Sequence, residues 1–290
     1  LNLVSLNKTL VMKKILLLTI TICLSSIYFG QVPGYVPTDS LVGWWPFNGN
    51  ANDESGNGND GINNGAILSA DRFGNANSAY SFDGIDDFII SPTDSRYLND
   101  TLTVSFWFNL LDDPLNGEVI CLGDINNSTR WGAMASANYL DMNVGRGCSG
   151  CCAAYNEMNT LGTWHHAILV LSGGTTDIYK NGLLLAQSTN SIPSSLGCSS
   201  TNLYFGKDIF FNTLFVNGHL DDIGIWDRAL DSCEIQGLYN SNAQACCSPN
   251  TGNDNQTSCD SYTWIDGNTY TASNNTATYT LTNAVGCDSV

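Results

Sequence analysis

The chain has 290 residues, 43% of them hydrophobic and 13% charged, and carries a formal net charge of −17. That hydrophobic share supports a sizeable core and excludes a disordered chain, while the scarcity of charge leaves Asn, Ser, Thr and Gly to build the surface. So acidic a surface repels phosphate backbones and anionic lipid, which excludes nucleic acid and the membrane surface as partners.

Of the 27 acids only Glu54, Glu118, Glu157 and Glu234 are glutamates. Aspartate belongs to turns and calcium loops, glutamate to helices, so the balance points to a loop-rich chain with little helix. Lys13-Lys14 followed by the apolar run from Ile15 to Ile22 reads as an export signal, too short to span a bilayer, with cleavage expected between Ser26 and Gln31. Residues 1–30 are therefore assigned to the signal, and Met12, directly before the two lysines, marks residues 1–11 as an over-extended start. Ile22 stands where lipid attachment at Cys23 would want a small residue, which argues against that modification. Loss of the signal takes Cys23 with it and leaves Cys121, Cys148, Cys151, Cys152, Cys198, Cys233, Cys246, Cys247, Cys259 and Cys287. An even number in an exported chain reads as a disulfide framework whose pairing stays open. Cys148 and Cys151 have zinc-ligand spacing, but no second such step accompanies them.

From about Leu41 to Trp226, short apolar runs alternate with Gly/Asn/Asp/Ser clusters, the pattern of a sandwich or barrel. Strands are expected at Leu41–Phe47, Ala79–Phe82, Phe88–Ser91, Thr101–Leu110, Val119–Leu122, Tyr139–Val144, His165–Leu171, Thr175–Tyr179, Leu183–Gln187, Asn202–Phe205 and Leu220–Trp226. In the fourth of these Leu102, Val104, Phe106 and Phe108 fall on one face, the core face. Trp44 and Trp45 point oppositely, so one of them is expected to leave the core. Asn181-Gly182 supplies the two positive-φ residues of a type I′ hairpin turn. Leu220, Ile223 and Ile225 cannot share a face in a regular strand, so a bulge is expected at Asp221-Asp222. The one expected helix runs from Ala229 to Tyr239, capped by Asp227 or Asp231. Residues 246–258 are a polar linker, and Cys259-Asp260-Ser261 recurs 28 positions later as Cys287-Asp288-Ser289, so residues 259–290 hold an incomplete repeat.

Leu41-Val-Gly-Trp-Trp-Pro-Phe47, Asp53-Glu-Ser-Gly-Asn57-Gly-Asn59-Asp-Gly61, Phe82-Asp-Gly84, Trp164-His165-His166, Lys180-Asn-Gly182 and Leu220-Asp-Asp-Ile-Gly-Ile-Trp226 together resemble the laminin G-like, concanavalin A-like jelly-roll domains of bacterial exported proteins. The resemblance implies an all-β, antiparallel two-sheet sandwich over residues 36–245. It also implies a calcium ion shared by Asp53, Asn57 and Asn59 of the early loop with Asp221 or Asp222 of the closing strand. The tail resembles the Cys-Asp-Ser repeats of cell-surface proteins in Bacteroidetes-type bacteria. Asp83, Asp86 and Asp87 form a second acidic cluster, read as a turn. His165 and His166 address opposite faces of a strand and cannot share an ion. Trp131 and Tyr139, beside the cysteine-rich loop 146–156, are the candidate aromatics for ligand contact. No closely spaced pair of glutamates of the kind that retaining glycosidases place on one strand face is present, nor is a nucleophile elbow or zinc-protease motif. The expectation is thus a secreted or cell-surface, non-catalytic module that binds an extracellular glycan or protein, with a spacer role as the alternative and a hydrolase the weaker one.

Overall fold

The structure, a computed structural model, describes residues 32–92, 94–99, 101–112, 118–124, 129–136, 140–146, 154–155, 159–188, 202–208, 215–241, 261–272, 281–282 and 288–289. Its strands are β1 (Leu41–Trp45), β2 (Ile62–Asn64), β3 (Ile67–Ser69), β4 (Ala79–Asp83), β5 (Phe88–Ser91), β6 (Leu102–Leu110), β7 (Glu118–Asp124) and β8 (Thr129–Ala135). They continue with β9 (Leu140–Arg146), β10 (Ala154–Tyr155), β11 (His165–Ser172), β12 (Thr175–Lys180), β13 (Leu183–Ser188), β14 (Leu203–Phe205) and β15 (Asn217–Trp226), and one helix follows, α1 (Ser232–Asn240). One sheet has the order β13-β12-β11-β6-β15-β4-β3, with β1 also on β15; the other runs β10-β9-β8-β7-β14-β5-β2. All pairings are antiparallel, and the two-sheet sandwich stands as expected.

The inner faces meet in one core. Leu102, Val104, Phe106 and Phe108 of β6 lie in it with Leu203 and Phe205 of β14, Ile89 of β5 and Trp45. Trp45 meets Phe205 edge-on at 4.9 Å between centroids, the geometry the ring quadrupole favours. Trp44 is not released to solvent: it is buried in a second apolar cluster with Ile168, Val170, Trp226, Leu230, Ile235 and Leu238, joined by Val36 and Leu41. Alternation in β1 does send the two tryptophans to opposite sides. The outer side of the first sheet is itself covered, by α1 and by the segment that precedes β1.

Along one edge, β15 changes partner halfway. Asn217 to Leu220 pair with β4, and Ile223 to Trp226 pair with β1. Asp221 and Asp222 fall in the seam between those two neighbours, where the register with β6 also shifts. The expected bulge is there, with Asp222 at φ 45°. Where both neighbouring strands end, ladder bonds cannot hold the backbone straight.

Asn181 and Gly182 take φ 50° and 77° and join β12 to β13 as the two-residue turn expected. The helix starts three residues later than expected, at Ser232. Asp231 accepts from the Glu234 N–H while the Glu234 carboxylate accepts from the Asp231 N–H, a capping box that fixes the start there. In the tail, Tyr262–Thr263 pairs with Thr269–Tyr270, and Leu281–Thr282 with Asp288–Ser289. Among the described residues no helix is long and apolar enough to cross a membrane.

Candidate functional site

The Asp53 loop closes on itself. Asp53 Oδ1 accepts from the Trp44 and Ser55 N–H groups at 2.9 Å each, and Oδ2 accepts from the Asn59 N–H at 3.0 Å. The Asn57 side-chain amide donates to the Leu41 and Val42 carbonyls, and that of Asn59 donates to the Val42 carbonyl. The three residues come together, as the sequence suggested, but as a brace that ties the loop to β1.

At the seam of β15 the carboxylates of Asp221 and Asp222 face Arg72, at 2.9 Å and 2.8 Å respectively. Arg72 also donates to Ser241 Oγ at 3.0 Å, and its guanidinium lies 4.3 Å from the Trp107 ring and 4.5 Å from the Phe73 ring. Asp221 Oδ1 accepts from the Asp222 N–H. Burial pushes both carboxyls up, reinforced at Asp221 by the Asp222 charge and opposed at both by Arg72. Tyr35 stands beside Asp222, Arg72 and Ser241, and burial raises its hydroxyl to about 12. Glu54 lies within reach of both acidic groups: its carboxyl is raised by burial and then by the charges of Asp222 and Asp53. The early loop and the closing strand do approach one another. Their oxygens, however, are held by backbone amides on one side and a guanidinium on the other. A calcium ion wants six to eight oxygens directed at one point, and the set as arranged does not fit one ion shared between the two ends.

The ligand atoms of Asp83, Asp86 and Asp87 lie within 4.8 Å of one another. Asp83 Oδ1 accepts from the Ile85 and Asp86 N–H groups and Asp87 Oδ2 from the Asp83 N–H, so the cluster is a hydrogen-bonded turn between β4 and β5. His165 and His166 separate as expected. His165 sits 5.6 Å from Phe108 on the core side, while His166 stacks on Trp107 at 4.8 Å, with Nε2 2.9 Å from Ser105 Oγ. Burial, then the Arg72 charge, lowers His166 to about 3, so it is a neutral ring beneath α1.

On the second sheet, Ile89, Leu203 and Phe205 take the core side, which turns Phe88, Ile90 and Tyr204 outward, where they are half-buried. Tyr204 pairs in register with Ile90 and Cys121. The Phe88 and Tyr204 rings lie 6.0 Å apart, and Lys207 Nζ sits 4.5 Å above Phe88 and 5.4 Å from Phe215. Asn64, exposed, is opposite Phe88 on β2. This is an aromatic surface with a cation and amides at its border. Trp131 falls on β8 opposite Leu122; its side chain, and the whole of Tyr139, lie outside the described residues. Cys121 is buried on β7 and Cys233 half-buried in α1; Cys148, Cys151, Cys152, Cys198, Cys246, Cys247, Cys259 and Cys287 lie outside the described residues.

Sequence reasoning missed Arg72, Tyr35 and Ser241 at the seam and Phe88, Tyr204 and Lys207 on the second sheet. A signal for the latter existed: Phe88 and Ile90 alternate with Ile89 and Ser91, so one apolar pair had to face out. Arg72 gave none beyond its rarity, one of only 10 basic residues in the chain.

Residues 82–236, more than half of the chain, match the family described as the concanavalin A-like lectin/glucanases superfamily, and the chain belongs to it. Among solved structures it is similar to the binding domain of Paraclostridial Mosquitocidal Protein 1, with 17% identity, TM-score 0.56, 70% of this chain and 52% of that one covered. It is also similar to a Trypanosoma rangeli sialidase mutant displaying trans-sialidase activity, at 17% identity and TM-score 0.56, covering 71% of this chain and 33% of that one. Domain 4 of AbnA, an extracellular arabinanase from Geobacillus stearothermophilus, solved with arabinotriose, matches at 17% identity and TM-score 0.50, over 69% of this chain and 98% of that domain. The chain spans about half the length of the toxin binding domain. These likenesses establish the fold. Among curated proteins the comparison finds no match.

Proposed function

We propose that this chain is an exported, non-catalytic module that binds carbohydrate outside the cell through the outer face of its second sheet. The observation that carries the reading is the half-buried pair Phe88 and Tyr204, held beside Lys207 and bordered by Asn64. A sugar ring presents an apolar face to an aromatic plane and hydroxyls to amides and charges at its edge, which is what this surface offers. The outer face of the first sheet carries instead the second apolar cluster beneath α1. The arabinanase domain solved with arabinotriose and the toxin binding domain support a ligand-binding use of the fold. A catalytic reading, which the sialidase likeness raises, finds little support in the acids: Glu234 is spent on Arg228 and the helix cap, and Asp221 and Asp222 on Arg72. Export is read from the signal expected at residues 1–30, and the Cys-Asp-Ser repeat in the tail supports a place at the cell surface.

Binding of the exported chain to a glycan array, followed by calorimetry on the best ligand, tests this. Tyr204→Ala and Phe88→Ala should each weaken binding roughly tenfold or more, about 1.4 kcal/mol, with the melting temperature little changed. Silence across the array would leave the spacer role, and release of reducing sugar from any polysaccharide would make the chain a hydrolase.

A further inference from the structure

We propose that Arg72 is a resident cation which takes the place of a metal ion at the seam of β15, so that the sandwich closes there without calcium. Two adjacent carboxylates buried at 2% and 8% residue exposure cannot stand without a compensating charge. The chain supplies one from a distance of about 150 residues in sequence, since the loop between β3 and β4 delivers Arg72 to them. That loop is built for the purpose. Asp71 accepts from the Phe73 and Asn75 N–H groups and from the Asn75 side chain, which closes the turn and aims Arg72 inward. One guanidinium nitrogen then meets each carboxylate, a forked arrangement that a planar cation satisfies.

The walls of the site decide between the two kinds of cation. Trp107 and Phe73 lie against the Arg72 guanidinium, and aromatic faces suit a weakly hydrated planar cation. Calcium would need oxygens or water in those same positions. Of the remaining oxygens nearby, Ser241 Oγ already accepts from Arg72, and the Tyr35 hydroxyl stands beside the same guanidinium. Arg72 therefore joins the segment before β1, the β3–β4 loop, the bulge of β15 and the end of α1.

Melting of the whole exported chain in millimolar calcium and in chelator, with native mass spectrometry in both, tests the proposal. Wild type should melt at the same temperature and keep the same mass in both. Arg72→Ala should melt roughly 10 °C lower in chelator, because two buried carboxylates are left facing each other, and should regain part of that loss in calcium. A wild-type chain that holds an ion removable by chelator, or that loses several degrees on chelation, overturns the proposal. So does a folded Arg72→Ala chain that melts like wild type or ignores calcium. Should Arg72→Ala fail to fold, the wild-type comparison alone decides.

Discussion

Buried in the stack that links Trp107 to Tyr239, His166 has its Nδ1 without a partner, and protonation would place a second positive charge near Arg72. The folded state therefore holds it neutral, with its pKa lowered to about 3. The unfolded chain takes up the proton below about pH 6.5, so this residue's contribution is present above that value and is lost as pH falls. Between pH 6.5 and 5 the loss should be about 2 kcal/mol. Urea unfolding of His166→Phe against wild type at the two pH values checks it: the variant keeps a ring in the stack, and its stability should fall less on acidification. Equal slopes would mean that the ring titrates alike in both states. The opposite facing of His165 and His166 was legible from the two-residue period of a strand. The neutrality of His166 was not, because it depends on α1 and Arg72 arriving from distant parts of the chain.

At the level of elements, local rules read well and lateral ones poorly. Asn181-Gly182 announced its turn because two successive positive-φ positions leave few other choices, and the misfit of Leu220 with Ile223 announced the bulge. Strands β2, β3 and β10 are two or three residues long and carry no pattern, so only pairing with β5, β4 and β9 defines them. The β12–β13 turn also supports α1. A Cβ on Gly182 would stand 2.9 Å from both Gln236 Nε2 and Tyr239 Cδ1, whereas at Gly173, in the turn between β11 and β12, it would meet nothing within 4 Å. Both glycines have positive φ, 77° and 58°, so alanine at either position costs about 1 kcal/mol in backbone strain. Gly182→Ala should cost about 1–3 kcal/mol more than Gly173→Ala, through displacement of the helix. Denaturant midpoints of the two variants measure the difference, and equal values would show that α1 does not rest on the turn.

Across the whole molecule the two sheets have different outer faces, and under the proposed function that difference separates stability from binding. The first sheet is covered by the segment before β1, where Val36 packs into the second cluster, the Trp226 indole donates to the Pro37 carbonyl at 2.7 Å, and Tyr35 joins the Arg72 network. Deleting residues 32–40 removes those contacts together and exposes parts of Trp44 and Trp226. At about 25 cal/mol per Å² of apolar surface, the loss should be about 3 kcal/mol or more. Val36 packs on the outer side of the first sheet and Phe88 and Tyr204 lie on the second, and sites that share no partners act additively. The deleted chain should therefore melt well below wild type and bind a hydrophobic dye, yet, under the proposed function, hold a glycan identified on the array with Kd within about twofold at low temperature. Tyr204→Ala should do the reverse, keeping its melting temperature and losing the ligand. The sequence pattern foretold two sheets and an apolar strand face, but not which outer face would be roofed, because the roof comes from segments flanking the sandwich whose own periodicity is weak. If the deletion abolished binding while the chain remained folded, the ligand surface would extend onto the first sheet, and the assignment of separate roles to the two faces would fall with it.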